Sequence, residues 1–216
     1  MKALYKEIKR IYKILKEFIY SFYKLHNIGH AVAFFGSSYQ SNVNKPYEEL
    51  ARTIAEGLAK KGFAIITGAG GATMQAANEG AIKGDGKSCG LFIKLPHEFQ
   101  SNPYVDPDYL IRFDHYFPRK VAFIRYSNAF LFFPGGYGTL DELFEALNLI
   151  KSRKTPKFPV ILIGKAYWKK MMEFLNDPVL KEKKITEKDL NLITLSDDAN
   201  EVIQIVCKYY RKKEYF

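Results

Sequence analysis

The sequence predicts an α/β fold, a Rossmann-like doubly wound parallel sheet of about six or seven strands with helices on both faces. Its strand-like apolar runs are short and continuous, as expected for strands that are buried on both faces. Segments with helical periodicity separate these runs, so crossover helices join parallel strands. Small-residue loops follow three of the runs, and ligands of such folds bind beyond the carboxyl ends of the strands.

Length and composition favour one domain preceded by a helix. The chain has 216 residues, 47% of them hydrophobic, which is enough for one full core. We divide it into an N-terminal helix over residues 1–28 and a Rossmann-like domain over 29–216. Its two cysteines, Cys89 and Cys207, lack metal-ligand spacing and do not suggest a disulfide framework. No apolar run approaches the ~20 residues of a membrane span, and no signal peptide is evident, so we predict a cytoplasmic protein.

The positive charge lies mainly at the two ends of the chain. The net charge is +10, residues 1–28 carry seven cationic side chains against two acidic ones, and the tail after Cys207 carries four against one. The body is therefore nearly neutral. A basic groove for nucleic acid is not predicted, because such a groove needs clustered Lys and Arg across the fold.

The N-terminal segment has the pattern of an amphipathic helix. Apolar residues recur at alternating steps of four and three, which places them in one stripe, with lysines opposite. The stripe consists of Leu4, Ile8, Ile11, Leu15, Phe18, Phe22 and Leu25. We expect it to pack on the domain or on a second subunit; a helix lying on an anionic membrane surface is the alternative. Gly29 is the expected C-terminal cap.

The remaining elements alternate along the chain. Continuous runs rich in β-branched and aromatic residues predict the strands. Strands are predicted over 31–35, 63–67, 89–94, 109–113, 128–133, 159–164 and 191–195. Helical spacing, such as Tyr47, Leu50, Ile54 and Leu58 on one face, predicts the helices. Helices are predicted over 46–60, 73–83, 118–126, 140–150, 167–175 and 199–210.

Three loops at the carboxyl edge of the predicted sheet indicate a nucleotide site. They are the loop of Gly36, Ser37 and Ser38, the loop of Gly68, Gly70 and Gly71, and the segment 134–139 that contains Gly135, Gly136, Gly138 and Thr139. Glycine lets backbone N–H groups approach a ligand, and a helix start favours a phosphate there. A dinucleotide site is not predicted, because the loop at 68–73 lacks the third glycine and the following acidic residue of that fingerprint.

Two charged features have open interpretations. Arg119 and Lys120 follow Pro118 at a predicted helix start, where cations oppose the helix dipole unless an anion is bound; solvent exposure is the alternative. Glu142 stands three residues after Thr139, which fits a capping box as well as a catalytic carboxylate. The spacing alone does not separate these possibilities.

Together these residues resemble a known family. Arg119-Lys120, followed fifteen positions on by Pro-Gly-Gly-Tyr-Gly-Thr and then by Glu142, is similar to the signature of the LOG family, the cytokinin riboside 5′-monophosphate phosphoribohydrolases, often labelled lysine decarboxylases. The segments Phe35–Ser38, Thr67–Met74, Ala76–Ala81 and Leu95–Glu98 agree with it. The similarity runs from about Phe18 to the last helix and resembles the bacterial branch most.

The resemblance implies an enzyme that releases a base and ribose 5-phosphate from a nucleoside 5′-monophosphate by hydrolysis of the N-glycosidic bond. It implies that residues 29–216 form a nucleotide-binding catalytic domain, with Arg119 and Glu142 as the catalytic pair. Lys120, Gly135, Gly136, Gly138 and Thr139 match positions that hold the phosphoribosyl part. It implies no metal and no other cofactor, and it implies a homodimer or higher homo-oligomer with the site near the subunit boundary.

The sequence also departs from the family pattern. Tyr116, Phe117 and Pro118 replace a Met-His-Glu sequence, and the loop over 68–75 differs at several positions. These changes lie where a base would be recognised, so AMP or another purine monophosphate is favoured over a cytokinin nucleotide. A non-catalytic carrier of a nucleotide or of the molybdenum cofactor is the alternative, but binding alone does not need both Arg119 and Glu142.

Overall fold

The computed structural model describes residues 1–95 and 100–213. Its strands, all seven in one sheet, are β1 Ala31–Phe35, β2 Ala64–Thr67, β3 Ser88–Ile93, β4 Leu110–Phe113, β5 Ala129–Phe132, β6 Val160–Leu162 and β7 Ile193–Leu195. Its α-helices are α1 Lys2–Leu25, α2 Lys45–Ala59, α3 Ala72–Lys83, α4 Tyr116–Tyr126, α5 Tyr137–Lys151, α6 Lys165–Phe174, α7 Glu187–Leu190 and α8 Ala199–Lys213. The last part of the motif Leu95–Glu98 lies outside the described residues.

The strand order is β4-β3-β2-β1-β5-β6-β7, and every pairing is parallel. The predicted Rossmann-like fold is therefore confirmed. Successive side chains of a strand point to opposite faces of the sheet. Phe34 belongs to the core between the sheet and helices α2, α3 and α8. Phe35 belongs to the core between the sheet and helices α4, α5 and α6. This two-sided burial is why the strands appear as continuous apolar runs.

The sequence did not predict three short helical segments. These are the 3₁₀ turn Pro107–Tyr109, the kinked helical segment Leu175–Leu180, whose Asp177 has an extended backbone, and α7. Each is too short to show helical periodicity, although Thr186 and Asp189 form a capping box at α7 that the sequence pattern contains. Gly29 has a φ of +81° but lies in the turn before β1, because α1 already ends at His26.

Helix α1 is divided between a packed half and an exposed half. Its C-terminal half packs on α4, with Phe18 5.7 Å from Phe117 and Phe22 5.9 Å from Tyr126 between ring centroids. In the N-terminal half the stripe is exposed; Ile8, for example, is 56% exposed. The C-terminal half of α1 therefore contacts the domain. What the exposed half contacts, a second subunit or an anionic membrane surface, stays a prediction. Among the described helices, none is long and apolar enough to cross a membrane.

The carboxylate of Glu17 caps α4 from a distance of almost 100 residues in sequence. It accepts hydrogen bonds from the backbone N–H groups of Asp114 and His115, at 3.2 and 3.3 Å, and contacts Nδ1 of His115 at 2.9 Å. No side chain of the segment itself caps this helix. A negative group at a helix N-terminus satisfies free N–H groups and complements the helix dipole, so α1 helps to fix where α4 begins.

Replacing Glu17 with alanine should lower the free energy of unfolding by about 1–3 kcal/mol, because the backbone N–H groups of Asp114 and His115 lose a charged hydrogen-bond acceptor. The midpoint of urea denaturation measures this change. Glu7→Ala is the matched control, because Glu7 is exposed on the same helix and its loss should cost less than about 0.5 kcal/mol. Equal losses in the two variants would contradict the cap.

Candidate active site

The site lies where the order of the strands reverses, between β1 and β5. The loops that follow these two strands are joined by a hydrogen bond of 3.0 Å from the N–H of Ser37 to the carbonyl oxygen of Pro134. A cavity of about 420 Å³ opens at this edge, a size typical of small-molecule sites. The crevice at such a switch point is the usual ligand site of doubly wound sheets.

The structure brings most of the predicted site residues to this cavity. Those that line it are Gly36, Ser37, Ser38, Gly68, Gly70, Arg119, Gly136, Gly138, Thr139 and Glu142. Lys120, Gly135 and Gly71 are not part of its lining. The three loops and the two charged features therefore meet at one place, although they come from four separate parts of the chain.

Helix α5 begins earlier than predicted. It starts at Tyr137, with Gly136 as the N-cap residue and no side-chain cap. The N–H groups of Thr139 and Leu140 already bond to the carbonyl oxygen of Gly136, at 3.0 and 3.1 Å. The capping-box interpretation is therefore wrong, because Thr139 lies inside the first turn and Glu142 one turn further on. The uncapped helix start beside the cavity favours an anionic ligand.

The glycines of this segment have two different functions. A Cβ atom on Gly135 would lie 2.1 Å from Oγ1 of Thr139 and 3.1 Å from the backbone carbon of Gly36, so close packing requires this glycine. A Cβ atom on Gly136 or Gly138 would meet no atom within 4 Å. These two glycines leave space at the cavity wall.

Two alanine variants should separate these functions. Gly135→Ala should lower the free energy of unfolding by about 1–3 kcal/mol through overpacking. Gly138→Ala should leave stability unchanged or raise it by up to about 1 kcal/mol, because alanine favours a helix, and should weaken binding of phosphate-bearing ligands. Thermal denaturation and calorimetric titration with AMP measure the two effects. Stable, tightly binding protein in both cases would contradict the assignment.

Glu142 is a buried carboxylate in the cavity wall. Glu142 is 5% exposed, and its Oε2 atom has no hydrogen-bond partner among the described residues. Burial raises the pKa of Glu142 from 4.5 to about 7, and this effect exceeds the opposing attraction of Lys120 and Arg119. A buried carboxylate in a cavity wall, with its pKa raised towards neutrality and one oxygen without a hydrogen bond, is typical of a functional group.

Arg119 contacts two neighbours, and a glycine leaves room for its guanidinium. Its Nε donates to the carbonyl oxygen of Leu91 at 2.7 Å, and its guanidinium lies 5.3 Å from the centroid of the Phe123 ring. A Cβ atom on Gly68 would lie 2.5 Å from Nη2 of Arg119, so this glycine leaves room for the guanidinium. The arginine is thus positioned before a ligand arrives.

The predicted start of α4 needs correction. The helix begins at Tyr116, two residues before the predicted position, so Pro118 is its third residue and Arg119 its fourth. Proline is tolerated there because the first-turn N–H groups have no intrahelical partner. The anion expected at this helix end is supplied in part by the carboxylate of Glu17.

Lys120 joins α4 to α5 and does not itself line the cavity, although its partner Asp141 does. Its ammonium group forms ion pairs of 2.7 Å with Asp141 and 2.9 Å with Glu145. Burial of Lys120 disfavours the charged amine, but the hydrogen bonds to these two carboxylates outweigh burial and raise its pKa. The lysine therefore stays protonated.

Sequence reasoning missed one wall of the cavity. Phe35, Met74, Ile93 and Leu95 also line it. None of the four is predicted as a site residue, although Phe35, Met74 and Leu95 lie in segments that agree with the family. Phe35 and Ile93 end their strands, and this position at the binding edge is a usable signal. Tyr167 was also missed; its hydroxyl donates to the carbonyl oxygen of Gly135 at 2.6 Å. No group of three or more His, Cys, Asp or Glu side chains that is arranged to hold a metal occurs within 1–95 and 100–213.

Comparison with known proteins places the chain in a family. The family described as "Possible lysine decarboxylase" matches residues 74–206, more than half of the chain, and the chain belongs to this family. Related proteins called cytokinin riboside 5′-monophosphate phosphoribohydrolase include one from Mycobacterium tuberculosis, 33% identical over 45% of this chain and 52% of the relative. One from Arabidopsis thaliana is 28% identical over 44% and 45%. The matches thus span about half the length of these curated relatives.

Similar solved structures support the fold alone. An X-ray structure from a structural genomics consortium has a TM-score of 0.63 and 20% identity, with 83% of this chain and 99% of that chain covered. A molybdenum cofactor binding protein from Rippkaea orientalis has a TM-score of 0.55 and 22% identity, with coverage of 83% and 94%. The molybdenum cofactor carrier protein of Chlamydomonas reinhardtii has a TM-score of 0.54 and 18% identity, with coverage of 84% and 98%.

Proposed function

We propose that this protein hydrolyses the N-glycosidic bond of a nucleoside 5′-monophosphate and releases a free base and ribose 5-phosphate. The observation that carries the proposal is Glu142, a buried carboxylate whose Oε2 atom has no hydrogen-bond partner among the described residues and whose pKa is raised to about 7. It shares one cavity with Arg119 and the uncapped start of α5. The names of the related proteins agree with this reaction.

The phosphate would bind at the start of α5. Gly136 and Gly138 leave the backbone accessible there, and the helix dipole and the Arg119 guanidinium both favour negative charge. Ser37 and Ser38 on the facing loop add hydroxyl groups to the same cavity. This arrangement explains why the substrate would be a monophosphate and not the free nucleoside.

Glu142 would act on the ribose. Breaking the bond between C1′ and the base nitrogen leaves positive charge on the ribose ring, as in other glycoside cleavage. The Glu142 carboxylate would stabilise that charge and accept a proton from the water whose oxygen bonds to C1′. The departing base nitrogen takes up a proton. The hydroxyl group of the water thus ends on C1′ of ribose 5-phosphate, and a proton ends on the free base.

The apolar wall of the cavity suits a flat base. Phe35, Met74, Ile93 and Leu95 offer aromatic, thioether and aliphatic surfaces, which favour an aromatic ring system. Since the base-recognition segments depart from the family pattern, AMP or another purine monophosphate is the first substrate to test, ahead of a cytokinin riboside monophosphate.

A carrier without turnover is the second candidate. The fold is shared with molybdenum cofactor carrier proteins, and the same cavity would hold a nucleotide or that cofactor. Holding an anionic ligand needs the cation Arg119 but no buried carboxylate in the same cavity, whereas cleavage of a glycosidic bond uses a carboxylate to stabilise the positive charge on the sugar. Hydrolysis therefore explains Glu142 better than storage does.

One experiment distinguishes the two candidates. Purified protein is incubated with a panel of nucleoside monophosphates and with the matching nucleosides, and free base is measured by chromatography, alongside AMP binding by calorimetry. Base release from a monophosphate but not from its nucleoside is the expected result. Tight AMP binding without release of base from any monophosphate would favour the carrier.

We further propose that the protein works as a homodimer or a higher homo-oligomer that forms through the exposed half of α1. We also propose that it works in the cytoplasm, since Cys89 and Cys207 are free thiols. Sedimentation analysis of the full chain and of a variant with Ile8 and Ile11 changed to serine tests the first point. A monomeric wild-type chain would contradict it.

A further inference from the structure

Lys120 forms its ion pairs next to the two proposed catalytic residues, Arg119 and Glu142. Lys120 follows Arg119 in α4, and Asp141 precedes Glu142 in α5. The 2.7 Å bond between Lys120 and Asp141 therefore joins the immediate neighbours of Arg119 and Glu142. This bond links the two helices at the level of the site.

Three carboxylates are close together at the start of α5, and a single ammonium group pairs with two of them. Lys120 contacts Asp141 and Glu145, while Glu142 lies between them in sequence. The Lys120 side chain is 15% exposed, that of Glu145 32% and that of Asp141 60%, so solvent screens the pair with Glu145 less than the pair with Asp141. The charged groups found to act on Glu142 are Arg119 and Lys120 from α4 and Asp141 and Glu145 from its own helix.

We propose that Lys120 is a positioning residue for the reaction, which joins α4 to α5 and balances the two carboxylates beside Glu142, and that it does not bind the phosphate. This inference deepens the proposed function and rests on it. Three observations support it: the ammonium group has two carboxylate partners, it is largely buried, and it does not line the cavity. A phosphate ligand would need its ammonium group in the cavity.

The first test is the pH profile of kcat and KM for Lys120→Met and Lys120→Arg. Loss of the cation should disfavour the ionised Glu142, so the acid limb of kcat in Lys120→Met should move to higher pH. Each unit of movement lowers kcat about tenfold below the limb, and activity should recover in alkali with KM little changed. Lys120→Arg should keep the wild-type profile, because it retains the charge.

Two results would overturn the inference. A higher KM with unchanged kcat at every pH would make Lys120 a phosphate ligand. A loss of kcat that does not depend on pH would show only a general structural role.

The matched variant Glu145→Gln removes a negative charge from the same cluster. Glu145 does not line the cavity, and its loss should move the acid limb of kcat to lower pH, opposite to Lys120→Met. If the acid limb of kcat moved in the same direction in Glu145→Gln and in Lys120→Met, the proposed charge balance would be contradicted. Loosening of the contact between α4 and α5 would then explain both variants.

A readout without substrate separates this inference from the proposed function. Protein labelled with ¹³C at the glutamate carboxyl groups is titrated by NMR, and the Glu142 signal is assigned by its absence in Glu142→Gln. Lys120→Met should raise the titration midpoint of Glu142, and an unchanged midpoint in a folded variant would overturn the inference. Wild-type protein that releases no base would instead refute the proposed function, whatever the titration shows.

Discussion

Replacing Glu142 with glutamine should stop turnover while AMP binding remains. Glutamine keeps the size of the side chain but cannot stabilise positive charge on ribose or accept a proton from water. Positioned acid–base groups contribute about 10²–10⁴-fold to rate, so kcat should fall by that factor. The Kd for AMP should stay within about threefold or become tighter, since a buried negative charge next to the anionic ligand is removed.

The same substitution should raise stability in alkali. The pKa of Glu142 is raised on folding, from 4.5 to about 7, so the folded protein binds this proton more tightly than the unfolded chain does. The stabilisation is full below pH 4.5 and is lost as the pH rises through 7. At 1.36 kcal/mol per pKa unit the loss is up to about 3 kcal/mol, and Glu142→Gln should avoid most of it.

Urea denaturation at pH 5 and pH 8.5 measures this effect. The stability difference between the two pH values should be smaller in Glu142→Gln than in wild type. Glu187→Gln is the control, because Glu187 is exposed and its replacement should leave that difference unchanged. Equal pH dependence in wild type and Glu142→Gln would mean that Glu142 titrates normally.

Replacing Arg119 should lower activity and stability together. Arg119→Met removes a cation from the cavity and leaves the carbonyl oxygen of Leu91, a fully buried residue, without this donor. Loss of one positioned electrostatic contact costs about 10²–10³-fold in kcat, and loss of a hydrogen bond from a charged donor costs about 1.5–3 kcal/mol of stability. Arg119→Lys should recover little, because an ammonium group cannot reproduce the guanidinium geometry.

Arg125→Met is the matched control for this prediction. Arg125 is an exposed cation later in the same helix, so its loss should leave kcat within about twofold and AMP binding unchanged. Steady-state kinetics with AMP and chemical denaturation compare the variants. Similar kinetic losses in Arg119→Met and Arg125→Met would show that the cavity does not depend on Arg119.

The five inner strands could be predicted because they are buried on both faces and therefore form continuous apolar runs. The edge strands β4 and β7 are partly exposed and were predicted from their shorter apolar runs. The starts of α4 and α5 could not be predicted, although the site depends on them. Gly136 and Gly138 look like loop residues, yet the first turn of α5 begins between them. Pro118 looks like a first helical residue but is the third of α4. In both cases a tertiary environment outweighed local propensity.

The charge partners of the site were equally invisible in the sequence. Glu17 caps α4 across almost 100 residues, and Lys120 pairs with carboxylates 21 and 25 positions away. Nothing in local spacing indicates such contacts. The residues Arg119, Glu142 and the glycines were found because they form a pattern, whereas the groups that hold them in place were found only from the fold.

Strand β5 connects the two halves of the site. It follows α4 and leads into α5, its four residues are fully buried, and it lies between β1 and β6. Amide groups of such a central strand exchange their hydrogens chiefly by global unfolding. The frame that separates Arg119 from Glu142 should therefore be among the slowest-exchanging parts of the molecule, and a nucleotide in the cavity should slow exchange in β1 and β5 together. The side chains of the apolar wall, such as Met74, would then move to accommodate different bases. The distance between Arg119 and Glu142 would stay fixed.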